Sequence, residues 1–355
     1  MRISGPCHER RPLESSPSMT RISPKSVWFD APNSAVLREE VVPAAGDGDI
    51  TVETILSGIS QGTETAIFRG QGSPGQAVDP KTCIGQSMGS FPIKFGYQNV
   101  GRVVAAGARS GVSVGEFVFS RFPHQSTFTI KADPSLVYRI PQGLEPETAV
   151  FGNLLVVAVH ALLDCPVRLG DVVAVHGLGI LGLFCAQLAA KTSPIVIGID
   201  PNPARRALAQ KFGIRAVASP EQALDVVNSV SQGRGADISI EVSGAPAALQ
   251  NAISSTGIEG TVLVVSWYGD KSVTLKLSPD FHVRRLKIIS SQIGPIGSGL
   301  QPRWDAARRM DVVWDLLPTL HPQDLITHRV PFERAQEAYQ LFANDSDALG
   351  VILTY

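Results

Sequence analysis

Past residue 170 the chain alternates compact apolar runs with amphipathic stretches, the rhythm of buried parallel strands crossed by helices. Strands are predicted at residues 172–176, 195–200, 216–217, 237–242 and 261–265, with helices at 180–191, 204–212, 220–231 and 245–255 between them. That order predicts a doubly wound parallel sheet, because successive strand–helix–strand units return to one sheet with a fixed hand. Upstream the texture differs. Residues 28–144 hold short β-rich stretches, among them 50–55, 100–106 and 116–119, broken by Gly and Pro, which predicts an irregular barrel. An apolar segment at 148–163 predicts a buried helix crossing between the two regions. Beyond Pro302, residues 304–316 and 333–342 read as helices and 351–355 as a closing strand. The expected organisation is an α/β chain with a disordered tail at 1–26, a barrel domain at 27–150, a parallel-sheet domain at 151–295 and a C-terminal return to the barrel at 296–355.

Composition narrows the function classes. A chain of 355 residues, 44% hydrophobic, can fill two cores. Lys and Arg number 31 against 32 Asp and Glu, a net charge of −1, so no long-range field draws nucleic acid or an anionic membrane, and a small, roughly neutral substrate is expected. Cys7, Cys83, Cys165 and Cys185 form no C-x-x-C pair, which argues against a zinc ribbon or a disulfide framework and for a reducing, cytoplasmic setting. Residues 1–26 are rich in Arg, Ser and Pro and carry no apolar run of signal-peptide or membrane-spanning kind, with Met19 a candidate start.

The most informative motif is Gly177-Leu178-Gly179-Ile180-Leu181-Gly182, between a predicted strand and a predicted helix. In a dinucleotide-binding turn the first glycine permits the tight bend, the second lets backbone approach a diphosphate, and the third lets helix and strand pack closely. The helix N-terminus then offers unpaired N–H groups and a favourable dipole. The next strand ends at Asp200, placed to accept from both hydroxyls of an adenosine ribose and to repel a 2′-phosphate. NAD(H) is favoured on that ground. Arg205 and Arg206 keep NADP(H) open, since a guanidinium can pair with the extra phosphate. Val242, Ser243, Ser266, Trp267 and Ser291 fall at strand carboxyl ends, where ligands gather in such sheets.

Taken together, Ser57-Gly-Ile-Ser-Gln-Gly-Thr-Glu64, Gly96-Tyr-Gln-Asn-Val-Gly-Arg-Val103, the glycine turn and Glu241-Val-Ser-Gly-Ala-Pro246 resemble the medium-chain dehydrogenase/reductase superfamily over about residues 27–355. That superfamily holds the zinc-type alcohol dehydrogenases and their metal-free relatives, and the chain is similar within it to bacteriochlorophyllide hydroxyethyl dehydrogenases. The resemblance implies a GroES-like β-barrel catalytic domain, a Rossmann domain and a homodimer. It also implies where zinc would sit. The family cysteine ligand falls at Ser60 or Gln61, its Gly-His-Glu becomes Gly96-Tyr97-Gln98, and a third ligand falls at Asn153. Hydroxyls and amides replace the thiolate, imidazole and carboxylate that zinc prefers, so no metal is expected.

Without a Lewis acid, hydrogen-bond donors must stabilise charge on a carbonyl oxygen. Tyr97 can donate, or act as an acid if its pKa falls; equally, its ring can plug the vacated metal space. Thr63 matches a family hydroxyl beside the substrate oxygen, and Gln98, Asn153 and, more weakly, Ser60 can fix polar groups of the substrate, although a buried Asn153 can also serve packing alone. Glu64 reads as structural, with Arg69 or Arg102 as its mate, and Trp267 and Tyr268 can edge the cofactor crevice or a subunit interface. Three functions stay open: an alcohol dehydrogenase or ketoreductase, an enone reductase similar to quinone oxidoreductases, and a dinucleotide-binding relative without chemistry.

Overall fold

The computed structural model describes residues 23–71, 91–269 and 271–355. Cys7, Cys83 and most of the expected tail lie outside the described residues. The tail ends sooner than residue 26, because Lys25 and Ser26 already belong to the strand Lys25–Ala31, where Lys25 N donates to Ser126 Oγ and Ser26 is fully buried.

Residues 172–290 build one six-stranded sheet in the order Ala216–Ala218, Ile195–Ile199, Val172–His176, Ala236–Glu241, Thr256–Val264, Lys287–Ser290, with every neighbouring pair parallel. The order reverses on either side of Val172–His176, so a crevice opens at the carboxyl end of that strand. All five of its residues are buried, as a strand covered on both faces requires. The strand expected at 261–265 starts earlier, at Thr256. Gly235 and Gly257 allow this: a Cβ on Gly235 would stand 2.7 Å from the Gly257 Cα, an approach only glycine tolerates.

The remaining strands form a mainly antiparallel seven-stranded sheet and a three-stranded one. In the larger sheet Asp49–Ile59 pairs with Asn99–Ala106, with Thr127–Lys131 and with Gly350–Thr354, which brings the last strand of the chain against one of the first. The crossing segment is two helices, Pro146–Ala149 and Gly152–Asp164, rather than one. The second helix is packed on Ile180–Ala190 and on Ala306–Leu316, and one large apolar cluster runs continuously from Leu56, Val100 and Phe119 through Leu155 and Val159 to Leu183 and Val175. A shared core of this kind fixes the carboxyl end of the parallel sheet relative to the barrel.

Candidate functional site

The glycine turn has the shape its sequence demands. Gly177 takes φ +104°, and a Cβ there would stand 2.8 Å from the Ser243 Cβ, while a Cβ on Gly182 would stand 1.9 Å from the Gly177 carbonyl oxygen. Around Gly179 the space is open, with Gln61 Oε1 at 3.8 Å the nearest atom to an added Cβ. The turn therefore faces Gln61 of the barrel across a gap. Leu178 and Ile180 bury their side chains in the core, and Leu181 packs against it, so the turn has only main-chain groups and Gly179 to offer a ligand. A diphosphate fits such a cradle, since it needs bare amides at close approach.

Asp200 is buried, and its carboxylate ties two loops together: Oδ2 accepts from Leu178 N at 2.7 Å and Oδ1 from Asn202 N at 2.8 Å. Each oxygen keeps a further lone pair for a ribose hydroxyl. Arg205, one of the two arginines that keep a 2′-phosphate open, donates to the Ala348 carbonyl at 3.3 Å and has its Nε buried without a partner, while Arg206 donates to the Asp200 and Pro201 carbonyls at 2.6 and 2.9 Å.

A second carboxylate organises the neighbouring strand end. Glu241 is fully buried and accepts from Ser243 N, Ser243 Oγ, Gly244 N and the Tyr268 phenol, all within 2.7–3.0 Å. Gly244 N also donates to Ser266 Oγ at 2.7 Å. Val242, Ser243 and Ser266 thus meet at the crevice edge beside Gly177, with the two hydroxyls engaged in shaping the turn. Trp267 stands at the rim, 39% exposed. Ser291 donates to Asp164 Oδ2 at 2.7 Å, a bond that joins the end of the last parallel strand to the crossing helix.

Across the gap, the short helix Thr63–Phe68 follows directly from the strand Asp49–Ile59 and carries the second half of the candidate site. The Ser60 and Thr63 side chains lie close enough to the Tyr97 phenol to act on its ionisation, so three of the expected residues come together here. Burial first, and then the Glu64 charge, push the phenol pKa above its ordinary value against the pull of those two hydroxyls. The phenol is therefore held protonated, and this environment raises rather than lowers its pKa.

Glu64 lies behind this cluster with partners other than Arg69 or Arg102. Its Oε1 accepts from Ser60 N at 2.9 Å, and its Oε2 lies 2.8 Å from His124 Nε2 and accepts from the Tyr339 phenol at 3.0 Å. His124 Nδ1 in turn lies 2.7 Å from Ser57 Oγ, which is 2.9 Å from the hydroxyl of Tyr355. Arg69 donates instead to the Phe342 carbonyl. Sequence reasoning gave no role to His124, Tyr339 or Tyr355, and no local pattern singles them out.

Gln98 donates to the Gly58 carbonyl at 3.2 Å, but its Oε1 is buried without a partner. A buried orphan acceptor is costly and marks a place for a donor to arrive. Asn153 is nearly buried in the first turn of Gly152–Asp164, and its Oδ1 accepts from Arg121 Nε at 3.0 Å. At the positions where related enzymes hold zinc, the donors are thus a hydroxyl, a phenol kept protonated and two amides, one of them capped by a guanidinium. That set does not suit a dication. Among the described residues no group of three or more His, Cys, Asp or Glu side chains is placed to hold a metal ion, and no helix is long and apolar enough to cross a membrane.

Residues 177–310 match the family model described as "Zinc-binding dehydrogenase". The chain is 28% identical over 342 residues to D-guloside 3-dehydrogenase of Shigella flexneri, covering 90% of this chain and 96% of that protein. It is 28% identical over 326 residues to 2-desacetyl-2-hydroxyethyl bacteriochlorophyllide A dehydrogenase of Rhodobacter capsulatus, covering 87% and 91%. Among solved structures it is similar to a zinc-binding dehydrogenase of Sinorhizobium meliloti bound to NADP, with a TM-score of 0.76 at 20% identity over 94% of this chain and all of that one.

Proposed function

Because the chain belongs to the medium-chain dehydrogenase/reductase superfamily, with its GroES-like and Rossmann folds, we propose that it is a zinc-independent, NAD(H)-dependent oxidoreductase interconverting a secondary alcohol and a ketone of a biosynthetic intermediate. The observation that carries the reading is the grouping of the Tyr97, Ser60 and Thr63 side chains on the barrel side, whose Gln61 faces Gly179. Bound nicotinamide would supply or accept a hydride. The amides of the Gly177–Gly182 turn would hold the diphosphate and Asp200 the ribose. Tyr97, kept protonated, donates to the carbonyl oxygen and stabilises the charge that grows there, a role that shared hydroxyls of Ser60 and Thr63 make easier to reload. Gln98 Oε1 accepts from a second hydroxyl of the substrate.

Two features favour the finer points. The Asp200 carboxylate disfavours a 2′-phosphate, while Arg205 spends one nitrogen on the Ala348 carbonyl. The donors at the ligand positions favour chemistry without zinc. The test is fluorescence titration of the purified protein with NADH and NADPH, followed by metal analysis and product analysis with an enone. Tighter binding of NADH, less than a tenth of a zinc per chain and an allylic alcohol as product are expected. Failure to bind either nucleotide would end the enzymatic reading, one zinc per chain would end the metal-free one, and a saturated ketone would move the assignment to C=C reduction.

A further inference from the structure

We infer that Arg121 and Arg309 together bind an anionic group on the substrate, a carboxylate or phosphate ester carried by the alcohol or ketone; this rests on the oxidoreductase reading above and names its substrate class. Arg121 follows the strand Phe117–Ser120. Asn99 and Ser120 are cross-strand partners, so Arg121 stands level with Gln98, next to Tyr97, at the end of the sheet where the candidate site lies. Its Nε donates to Asn153 Oδ1, and its guanidinium sits 5.6 Å from the Tyr138 ring centroid. Arg309, from the helix Ala306–Leu316, is only 5% exposed, with its NH1 2.9 Å from His160 Nδ1 and 3.2 Å from the Gly294 carbonyl. Asn153 and His160 are seven residues apart on one helix, hence on one face of it, so both guanidiniums dock on the same side of the crossing helix. Gly294 follows Ser291 beyond the last parallel strand, on the crevice side of the sheet.

Charge at this place is only partly balanced, by Asp164. Among the described residues no carboxylate oxygen comes within 4.0 Å of either guanidinium. Asp164, the nearest acid in this network, is shared by Ser291 at 2.7 Å and His160 at 3.5 Å. The two arginines also feel each other: after burial itself, Arg121 is the first cause holding Arg309 below the ordinary guanidinium value, and burial likewise holds His160 down, so the imidazole adds no charge. A buried cation such as Arg309 without a paired anion is expensive, and with the half-exposed Arg121 on the same side of the crossing helix a ligand is the fitting source of the counter-charge. The planar fork of a guanidinium accepts a carboxylate or a phosphate in two parallel hydrogen bonds. The neutral substrate suggested by the net charge of −1 gives way here, because a pair in a cleft sets the local field.

The experiment uses the full chain saturated with NADH and titrated calorimetrically with acetoacetate and with dihydroxyacetone phosphate, each beside its uncharged counterpart, pentane-2,4-dione and dihydroxyacetone. At least one anion is expected to bind tenfold or more tightly than its counterpart, and which one does so tells carboxylate from phosphate. Arg121→Met should remove that preference and Arg121→Lys keep part of it, with NADH affinity changed less than twofold. Arg309→Lys, which keeps the charge and loses the fork, should weaken the anion in the same direction and serves if Arg121→Met does not fold. Equal binding of charged and uncharged ligands by the unaltered protein, or an undiminished preference in these variants, overturns the inference. Loss of NADH binding by the unaltered protein would instead sink the oxidoreductase reading beneath it.

Discussion

Glu64 Oε2 lies 2.8 Å from His124 Nε2, and neither side chain reaches solvent. The carboxylate also accepts from Ser60 N and the Tyr339 phenol, so one buried acid joins the strand end that carries Ser60, the segment at His124 and the helix Ala335–Asn344. Removing one partner of a buried pair leaves the other unpaired in a medium that solvates it poorly, at a cost of about 3–5 kcal/mol. Glu64→Ala is expected to destabilise the protein by that amount in urea unfolding, and Glu64→Gln, which keeps an acceptor for the Ser60 amide, by distinctly less. A loss under about 1 kcal/mol for Glu64→Ala would mean that water replaces the carboxylate and that the network holds nothing in place.

Tyr97 is held protonated by burial and by the Glu64 charge, so its titration lies above its ordinary value of about 10. Ketone reduction at saturating NADH should accordingly show no tyrosine limb between pH 7 and about 9.5, since the donor stays loaded throughout. Tyr97→Phe is expected to cut turnover more than tenfold while NADH binding stays as it was. An alkaline limb near pH 8 that Tyr97→Phe abolishes would assign the phenol the opposite role, as a base.

What the sequence made legible follows from the range of the interactions. Val172–His176 and Ile195–Ile199 are apolar throughout because both sheet faces are covered, and that pattern is local. The glycine turn was readable for the same reason: Gly177 and Gly182 are constrained by atoms that a Cβ would strike at 2.8 and 1.9 Å, and no other residue could stand there. The mates of Glu64 were not readable. His124 lies 60 residues away and Tyr339 lies 275 away, and neither spacing leaves a mark on local periodicity, so nearby arginines were the natural but mistaken choice. Arg121 escaped notice likewise, because an arginine after a short strand looks solvated until the crossing helix brings Asn153 to it.

His176 gives the fold a built-in acid sensitivity. It ends the central strand, fully enclosed, and burial pushes its pKa down to about 4 from an ordinary 6.5. In the unfolded chain it takes up a proton below about pH 6.5, whereas in the folded protein it does so only below about 4, so the unfolded state binds more protons in that window and stability falls as pH falls. The whole shift amounts to roughly 3 kcal/mol at most, all of it lost by about pH 4. His176→Gln should flatten the pH dependence of urea unfolding between pH 6.5 and 4 without altering it above 7. An unchanged slope would mean that the imidazole charges in place, with Ser255 Oγ, 3.4 Å from its Nε2, or water accommodating the proton.

Asp200 offers the sharpest separation between holding a loop and reading a cofactor. Its two oxygens already accept from Leu178 N and Asn202 N, so the carboxylate shapes the glycine turn whatever else it does. If that were its whole function, Asp200→Ala would loosen the turn for any dinucleotide, and NADH and NADPH would lose affinity alike. A carboxylate that also accepts from the ribose hydroxyls adds charge-assisted bonds, of which the one to the 2′-hydroxyl is available to NADH alone and is worth about 1.5–3 kcal/mol, or roughly 10- to 150-fold in Kd. It further repels a 2′-phosphate, so its removal should relieve NADPH of a penalty while depriving NADH of a contact. The expected outcome of parallel fluorescence titrations is therefore a fall of at least tenfold in NADH affinity with little loss, or a gain, for NADPH. Equal losses would confine Asp200 to the loop and leave the choice of cofactor to other groups at the mouth of the crevice, Arg206 first among them because it already lies on the Asp200 carbonyl at 2.6 Å.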